Sequence, residues 1–326
     1  MQLKWNLDLP PRDTNTLPIG IVMTGGGNKC RCQIGFEAAL FQIPEFVPNV
    51  YCIAGTSGGG LNTIITAYYI DNFIKAVMLW ESIDCNKKIY KGNLGSKVFD
   101  RLGQALSLIM DKESFLDATP LHDLLKGIFL DMTLQDIKKI SNLDIIIPAA
   151  DLNRKRAEVY VSWDKTGLIK AADAGSRTSA IPGLFQAIQG KDYHDNDSHI
   201  HSHVDGGILI NNPYEEMVHY FEKVQGLKPH EYRIVILKSA KTCEKASEEI
   251  YNKIMKTLAR TVETTLSGQE YLVEDKINHE NTMVIEPNFD TGDAINFGNT
   301  DILQKGYDQV YVMLDKIRDF ITKKEA

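Results

Sequence analysis

The sequence lacks the features of a membrane-spanning or secreted protein. None of its apolar runs reaches the length of about 18 residues that marks a membrane-spanning helix. Residues 1–18 are polar and contain prolines, with no basic stretch leading into an apolar one, so a secretory signal is not expected. The five cysteines are scattered and odd in number, which argues against a zinc knuckle. We therefore expect a cytoplasmic protein with reduced thiols.

The chain is also short of positive charge. It has 36 Lys and Arg residues against 43 Asp and Glu residues, which gives a formal net charge of −7. Nucleic acid is therefore not expected as a general partner, because attraction to phosphate supplies most non-specific binding. Neither a repeat nor a Pro/Gly/Ser-rich linker divides the 326 residues. We expect one domain, residues 18–326, after an N-terminal extension, residues 1–17.

Glycine-rich turns follow the first two apolar runs of the chain. The run 18–24 ends at three glycines, 25–27, and the run 50–54 ends in a second glycine-rich stretch. Helical apolar periodicity follows each turn, over residues 34–43 and 61–70. Repeated alternation of strand, loop and helix predicts an α/β fold with a mainly parallel central sheet and helices on both faces.

The rest of the chain continues this mixture of strands and helices. Helical character with short breaks extends over residues 73–142. Further strands are predicted at 144–149, 158–162, 232–237 and 282–285, with a hairpin around 151–156. Further helices are predicted at 245–266 and 302–321, and the polar stretch 191–203 is predicted to be a surface loop.

Ser57 lies in a pattern that serves nucleophilic catalysis. Gly55-Thr56-Ser57-Gly58-Gly59 matches G-x-S-x-G, in which a sharp strand-to-helix turn exposes the central hydroxyl. Glycines are needed because side chains would clash there. Acyl transfer also needs hydrogen-bond donors for the developing oxyanion. The backbone N–H groups of Gly26 and Gly27, with Gly58, can supply them, because parallel strands bring such turns to one sheet edge.

Asp205 is the candidate general base. It is followed by two glycines, so a tight turn can hold its carboxylate at a cleft. A serine hydroxyl is a weak nucleophile and needs a positioned base. An ordinary Asp pKa of about 3.9 suits this role poorly near neutral pH, so partial burial is expected to raise it.

These motifs resemble the patatin-like phospholipase family. The resemblance rests on five segments in order along the chain. They are the glycine loop (Gly25–Lys29, through Gly35), the nucleophile motif (Ile53–Asn62), residues 115–125 with Thr119-Pro120-Leu121, the segment Ala174–Phe185, and Asp205-Gly206-Gly207 with Asn211-Asn212-Pro213. Residues 18–213 thus form a motif-bearing core, and residues 214–326 complete the domain.

The resemblance implies a three-layer α/β fold and a serine–aspartate dyad without histidine. Ser57 would be the nucleophile and Asp205 the base, and Gly25, Gly26 and Gly27 would form the oxyanion hole. Lys29 replaces the arginine that the family often has, and it is a candidate contact for substrate. Cys30 replaces a usual glycine, which adds a side chain beside this loop.

The resemblance also implies a substrate class and partners. It predicts a lipid acyl hydrolase of phospholipase A or lysophospholipase type that acts on phospholipid or other acyl lipids at a membrane surface. No metal and no cofactor are expected. Some bacterial members require an activator, so an activator ligand stays open here, as does the oligomeric state.

Several alternatives remain open at this point. A Ser-His-Asp hydrolase would use His219, His230 or His279, which follow Asp205 in the chain. A dinucleotide-binding protein would use the glycine loop, although its third glycine is missing. A non-catalytic binding protein on the same fold is a further alternative, because fold does not fix function.

A metal site is the last alternative. His199, His201, His203 and Asp205 would share one face if their stretch were extended. The polar composition of residues 191–203 favours a solvated loop instead.

Overall fold

All the predicted strands lie in one eight-stranded sheet. The computed structural model describes residues 15–82, 118–182, 184–194, 199–241, 264–265, 268–292 and 301–322. The strands are β1 (Ile19–Met23), β2 (Val50–Gly55), β3 (Asp144–Asp151), β4 (Arg156–Val161), β5 (Ile188–Lys191), β6 (Ile200–Asp205), β7 (Arg233–Leu237) and β8 (Thr282–Ile285). Their order in the sheet is β5-β6-β3-β2-β1-β7-β8, with β4 paired to β3.

The sheet has a parallel half and an antiparallel half. Strands β3, β2, β1, β7 and β8 are parallel neighbours. Strands β4 and β6 pair antiparallel with β3, and β5 pairs antiparallel with β6. The prediction of a mainly parallel sheet is confirmed for the half that carries the glycine-rich turns.

Helices cover both faces of the sheet. They are α1 (Arg31–Leu40), α2 (Gly58–Tyr68), α3 (Ile74–Ser82), α4 (Thr119–Phe129), α5 (Leu134–Ser141), α6 (Ala171–Thr178), α7 (Tyr214–His219), α8 (Ile302–Tyr311) and α9 (Leu314–Ile321). Side chains alternate along β1, so Ile21 and Met23 enter one apolar cluster with α1, α2 and α8. Val22 enters a second cluster with Met217 of α7. The predicted layers of helix, sheet and helix are confirmed.

Two of the predicted helices differ from the structure or lie mostly outside the described residues. The helix predicted over 302–321 is two helices, which are interrupted around Val312 and Met313. The helix predicted over 245–266 lies outside the described residues except for 264–265, which are helical.

Among the described residues, no helix combines the length and apolar composition that crossing a bilayer requires. Residues 15–17 contact the end of α9, where the Leu17 N–H donates to Ile321 O at 3.1 Å.

The prediction of a surface loop over residues 191–203 is wrong. This stretch contains the end of β5 and most of β6, which pair with each other, and β6 also pairs with β3. His201, His203 and Asp192 are buried rather than solvated. Their polarity is compensated by partners from distant parts of the chain, which a local reading of composition does not reveal.

Pairing along β3 brings two strand ends together. Strand β4 occupies one edge of β3 over residues 146–151. The other edge pairs with β2 over residues 144–146 and with β6 over residues 149–151. Because β2 is parallel to β3 and β6 is antiparallel, the carboxyl ends of β2 and β6 approach each other beside Pro148. The turn after β2 and the last residue of β6 therefore meet.

Candidate active site

Ser57 lies on a strained turn between β2 and α2. Its backbone has φ 56° and ψ −127°, a conformation that L-residues rarely adopt. The flanking glycines leave room for this turn. A Cβ on Gly55 would lie 2.3 Å from Gly59 O, and a Cβ on Gly59 would lie 2.5 Å from Met23 O. The steric reason for the G-x-S-x-G pattern is therefore present in this structure.

Ser57 and Asp205 contact each other directly. Ser57 Oγ donates a hydrogen bond of 2.6 Å to Asp205 Oδ2, and both residues are almost completely buried. The other carboxylate oxygen, Oδ1, accepts the N–H of Gly207 at 2.8 Å. Burial raises the pKa of Asp205 to about 7, against the lowering effect of these two hydrogen bonds. A carboxylate with this pKa can accept a proton near neutral pH.

Gly25 anchors the glycine loop. Its N–H donates to Asn211 O at 3.1 Å, and its carbonyl accepts the Ser239 hydroxyl at 2.7 Å. A Cβ on Gly25 would lie 2.4 Å from Asn211 Oδ1 and 3.1 Å from Ser57 Cβ. The Gly25 N–H is a predicted oxyanion donor, but it already donates to Asn211 O. The other glycines must therefore supply the N–H groups that face an oxyanion.

Gly27 and Gly58 lie side by side. A Cβ on Gly58 would be 2.6 Å from Gly27 O. Gly58 is the first residue of α2, and Gly27 is the first residue of the 3-10 helix Gly27–Cys30 that follows Gly26. N–H groups at helix starts have no acceptor within their own helix and carry the positive end of the helix dipole. Gly26, Gly27 and Gly58 thus remain the predicted oxyanion donors.

Cys30 packs into the space beside these glycines. Its thiol donates to Thr24 O at 3.4 Å, and its Sγ would lie 2.9 Å from a Cβ on Gly58. Burial raises the pKa of this thiol well above its usual range, and the nearby Cys32 and Asp205 add to the effect. The Cys30 side chain is therefore a neutral packing group here. It packs against Thr24 and Gly58 and leaves the glycine loop in place beside Ser57.

A family model described as patatin-like phospholipase matches residues 21–218, more than half of the chain. This chain belongs to the patatin-like phospholipase family. The family is one of lipid hydrolases, and the match covers the end of β1, the glycine loop, Ser57 and Asp205.

Solved structures with this patatin-like fold have little sequence in common with the chain. Human GIVD cytosolic phospholipase A2 is 9% identical with a TM-score of 0.51, covering 94% of this chain and 62% of that one. VipD from Legionella pneumophila is 16% identical with a TM-score of 0.46, covering 97% and 71%. ExoU from Pseudomonas aeruginosa, solved with SpcU, is 15% identical with a TM-score of 0.44, covering 97% and 54%. The chain thus spans about three fifths of the human enzyme. A search of curated protein sequences finds no match.

Lys29 of this patatin-like chain lies at the side of the site. It is half-buried in the 3-10 helix Gly27–Cys30. Burial raises the pKa of Glu270 to about 7, while the charge of Lys238 and, more weakly, that of Lys29 lower it. Glu270 in turn accepts a hydrogen bond of 2.9 Å from Asn211 Nδ2. Lys29 therefore belongs to a charged group next to the glycine loop, and its contact with substrate stays a prediction.

The histidines proposed for a Ser-His-Asp triad lie away from Ser57. His230 and His279 precede β7 and β8, whereas Ser57 follows β2 at the opposite end of the parallel half. His219 is exposed at the C-terminal end of α7. Both carboxylate oxygens of Asp205 already have partners, Ser57 and Gly207, and neither partner is a histidine. The geometry of the described residues therefore does not support a Ser-His-Asp triad at Ser57.

Two of the histidines in the predicted metal-binding face pair with carboxylates. His201 Nδ1 lies 2.7 Å from Asp151 Oδ2, and His203 Nε2 lies 2.5 Å from Glu158 Oε2. Two groups of residues have candidate metal-ligand atoms within 4.8 Å of one another. One is Asp151, Asp192 and His201, and the other is Asp151, Glu158 and His203. His199 is exposed and belongs to neither group.

Arginines balance the carboxylates of this cluster. Arg154 Nη1 lies 3.0 Å from Asp192 Oδ2. Arg177 Nη1 lies 3.9 Å from Glu158 Oε2 and donates to the Tyr160 hydroxyl at 2.7 Å. Buried carboxylates that are already paired with arginines and histidines gain less from a metal ion than unpaired ones. We interpret the cluster as an ion-pair network that fixes the antiparallel half of the sheet.

Three supports of the site were not singled out from the sequence. Asn211 and Ser239 hold Gly25, and Thr178 Oγ1 accepts the Ser57 N–H at 3.0 Å. Asn211 and Thr178 do lie within segments that resemble the family. Ser239 follows β7, a parallel neighbour of β1, and that position at the same sheet edge is the signal that could have found it.

Proposed function

We propose that this protein hydrolyses carboxylic ester bonds of phospholipids or lysophospholipids through an acyl-enzyme on Ser57. The observation that carries the proposal is the 2.6 Å hydrogen bond from Ser57 Oγ to Asp205 Oδ2. It joins a nucleophile on a strained elbow to a buried carboxylate whose pKa is raised to about 7. That combination suits general-base activation of a hydroxyl near neutral pH.

The proposed reaction has two steps. Asp205 accepts the hydroxyl proton while Ser57 Oγ attacks the ester carbonyl carbon, and the N–H groups of Gly26, Gly27 and Gly58 stabilise the oxyanion. The protonated Asp205 then gives its proton to the departing alcohol or lysolipid oxygen as the ester C–O bond breaks. Water attacks the acyl-enzyme in the second step with Asp205 again as base, which releases the fatty acid and restores Ser57.

The proposed setting is a lipid surface reached from the cytoplasm. Membership of the patatin-like family supports a lipid substrate. An activator ligand is compatible with the proposal, because the dyad would already be assembled before substrate or activator binds. No step of the reaction requires a metal ion or an organic cofactor.

The test compares wild type with Ser57→Ala and Asp205→Asn on a chromogenic fatty-acid ester and on phospholipid vesicles. Each substitution is expected to lower kcat/KM by roughly 10⁴-fold or more, and the double variant by little more than the worse single one, because the two groups act as a unit. Matched controls are Ser82→Ala and Asp123→Asn, at residues outside the site, which should leave the rate unchanged. Circular dichroism checks each fold.

The pH profile and a covalent probe complete the test. The kcat/KM of wild type should rise with pH and level off above about 7, because the base must be ionised. A fluorophosphonate probe should label Ser57 and fail to label the Asp205→Asn variant at a comparable rate. Labelling without ester turnover would identify an enzyme that awaits an activator. An unlabelled Ser57 in folded wild type would refute the proposed function.

A further inference from the structure

The end of helix α6 lies between the nucleophile and the base. Thr178 is the last residue of α6 and is fully buried. Its hydroxyl donates to Pro148 O at 2.6 Å and accepts the Ser57 N–H at 3.0 Å. The direction of both bonds is determined, because a carbonyl oxygen only accepts and a backbone N–H only donates. One hydroxyl therefore joins the serine elbow to the middle of β3.

The bond to Ser57 holds a backbone that is under strain. A residue with φ 56° and ψ −127° persists only when its surroundings fix it. The Thr178 hydroxyl is a neighbour that does so from outside the turn itself. Without that bond the elbow can relax, and Ser57 Oγ would then move relative to Asp205.

The same segment holds the backbone of the base. Ala180, two residues beyond Thr178, accepts the Asp205 N–H at 2.9 Å. Pro148 O, the acceptor of the Thr178 hydroxyl, also lies where Gly206 crosses β3, because a Cβ on Gly206 would be 2.3 Å from it. Thr178 and Ala180 thus fix the strand ends that carry Ser57 and Asp205 to one short piece of chain.

A buried arginine anchors this piece of chain. Arg177 donates to the Tyr160 hydroxyl at 2.7 Å and to Lys191 O at 3.0 Å, which ties α6 to β4 and β5. Gly190 lies directly against the guanidinium, where any Cβ would collide with it. The end of α6 is therefore held from the antiparallel half while it holds the elbow of the parallel half.

We propose that Thr178 is a positioning residue of this hydrolase, whose hydroxyl sets the geometry between Ser57 Oγ and the Asp205 carboxylate. The inference rests on the proposed function and goes beyond it by assigning a role to a residue that does not touch the reacting atoms. A misplacement of about 1 Å between reacting groups can cost on the order of 100-fold in rate.

The test uses Thr178→Val, which keeps the shape of the side chain and removes its hydroxyl. It should lower kcat/KM and the rate of fluorophosphonate labelling by about 100-fold, mainly in kcat, with KM changed little. Thr178→Ser keeps the hydroxyl and should recover most of both rates. The hydrogen bond from Ser57 Oγ lowers the pKa of Asp205. If Thr178→Val moves Ser57 Oγ away from Asp205, this pKa should rise, and the rise of kcat/KM should move to higher pH.

Thr166→Val is the matched control. Thr166 is a buried threonine whose hydroxyl also accepts a backbone N–H, that of Val161 at 2.8 Å, and donates to Asp164 Oδ1 at 2.7 Å. It lies in the turn after β4, so its loss should lower the melting temperature and leave the labelling rate and pH profile unchanged. A structural role of Thr178 alone would make the two valine variants behave alike.

Each outcome decides. Equal labelling rates in folded Thr178→Val and wild type overturn the inference while the proposed function stands. A Thr178→Ser variant as impaired as Thr178→Val would show that the hydroxyl alone does not restore the rate, and it also overturns the inference. If Thr178→Val does not fold, the labelling rate and pH profile of Thr178→Ala replace it, with Thr166→Ala as control. Absence of Ser57 labelling in wild type overturns the proposed function and the inference with it.

Discussion

The two halves of the sheet are built from different kinds of residue. In the parallel half, β1 buries every residue and every side chain is apolar. In the antiparallel half, β6 buries His201, His203 and Asp205 on one face. The first half is stabilised by apolar burial, and the second relies on paired charges. The comparison shows which half supplies Ser57 and which supplies Asp205.

The parallel half supplies the backbone of the site, and the antiparallel half supplies its carboxylate. Glycine-rich turns at the ends of β1 and β2 carry the predicted oxyanion donors and Ser57. Asp205, the proposed base, lies on a strand that runs antiparallel to β3, and the polar neighbours of Asp205 on that strand, His201 and His203, are each paired with a carboxylate. The hydrogen bond between Ser57 and Asp205 is therefore a contact between two differently stabilised structures.

The largest effect on this comparison is expected from Arg177→Met. Arg177 is 3% exposed and contacts Tyr160, Lys191 and Glu158. Without the guanidinium, the buried carboxylate of Glu158 loses its positively charged neighbour. Breaking a buried ion pair in this way typically lowers the free energy of unfolding by about 3–5 kcal/mol. Urea denaturation at pH 7 would measure the loss in free energy of unfolding.

Ile21→Val in the parallel half is the comparison for Arg177→Met. Removal of one methylene from β1 should cost about 1 kcal/mol. Equal losses in the two variants would contradict the view that charge pairs stabilise the antiparallel half. A much larger loss of free energy of unfolding for Arg177→Met than for Ile21→Val would support that view.

The parallel half could be predicted from the sequence because its signals are local. Apolar runs marked β1, β2, β7 and β8 to within about two residues, and the glycine-rich turns marked Ser57. Glycine is required at these turns by backbone geometry and close approach, so the pattern has a steric cause that can be read directly. The helices after these turns followed from their periodicity.

In the antiparallel half, strands β5 and β6 are harder to predict than β4, because they are polar. The composition of residues 191–203, which include the last residue of β5 and most of β6, predicts a loop, because the buried side chains of this stretch are of the types found in solvated segments. The alternation of histidines at 199, 201 and 203 was the available sign of an extended strand. Its partners, Asp151 and Glu158, lie more than 40 residues away in sequence, and such long-range pairing has no local signature. The same holds for Thr178, which reaches Ser57 across 121 residues.

The parallel half has one charge-related weakness of its own, Glu37 on α1. Its Oε2 accepts the Thr66 hydroxyl at 2.7 Å, and its Oε1 has no hydrogen-bond partner among the described residues. Burial raises the pKa of Glu37 from 4.5 to about 8. The carboxyl is neutral in the folded chain where it would be ionised in the unfolded one. Its contribution to stability is therefore complete below about pH 4.5 and is lost as pH rises through 8.

Glu37→Gln should remove this pH dependence. Between pH 5 and 9 wild type should lose about 4 kcal/mol relative to the variant, because each pKa unit corresponds to about 1.4 kcal/mol. Burial raises the pKa of Asp205 and Glu270 as well, so some loss should persist in Glu37→Gln. Denaturation at several pH values measures it, and the exposed Glu81→Gln is the control. Parallel curves for wild type and Glu37→Gln would show that Glu37 is ionised while buried.

The smallest effect is expected from removal of metal ions. The cluster of Asp151, Glu158, Asp192, His201 and His203 brings ligand atoms within 4.8 Å, yet Arg154 and Arg177 already balance its charge. Dialysis against a chelator should therefore shift the melting temperature by less than about 1 °C, since no bound ion would be lost from the folded state. Elemental analysis of the untreated protein is the companion measurement. One zinc per chain, lost together with several degrees of stability, would turn the antiparallel half from an ion-pair network into a metal-stabilised support for Asp205.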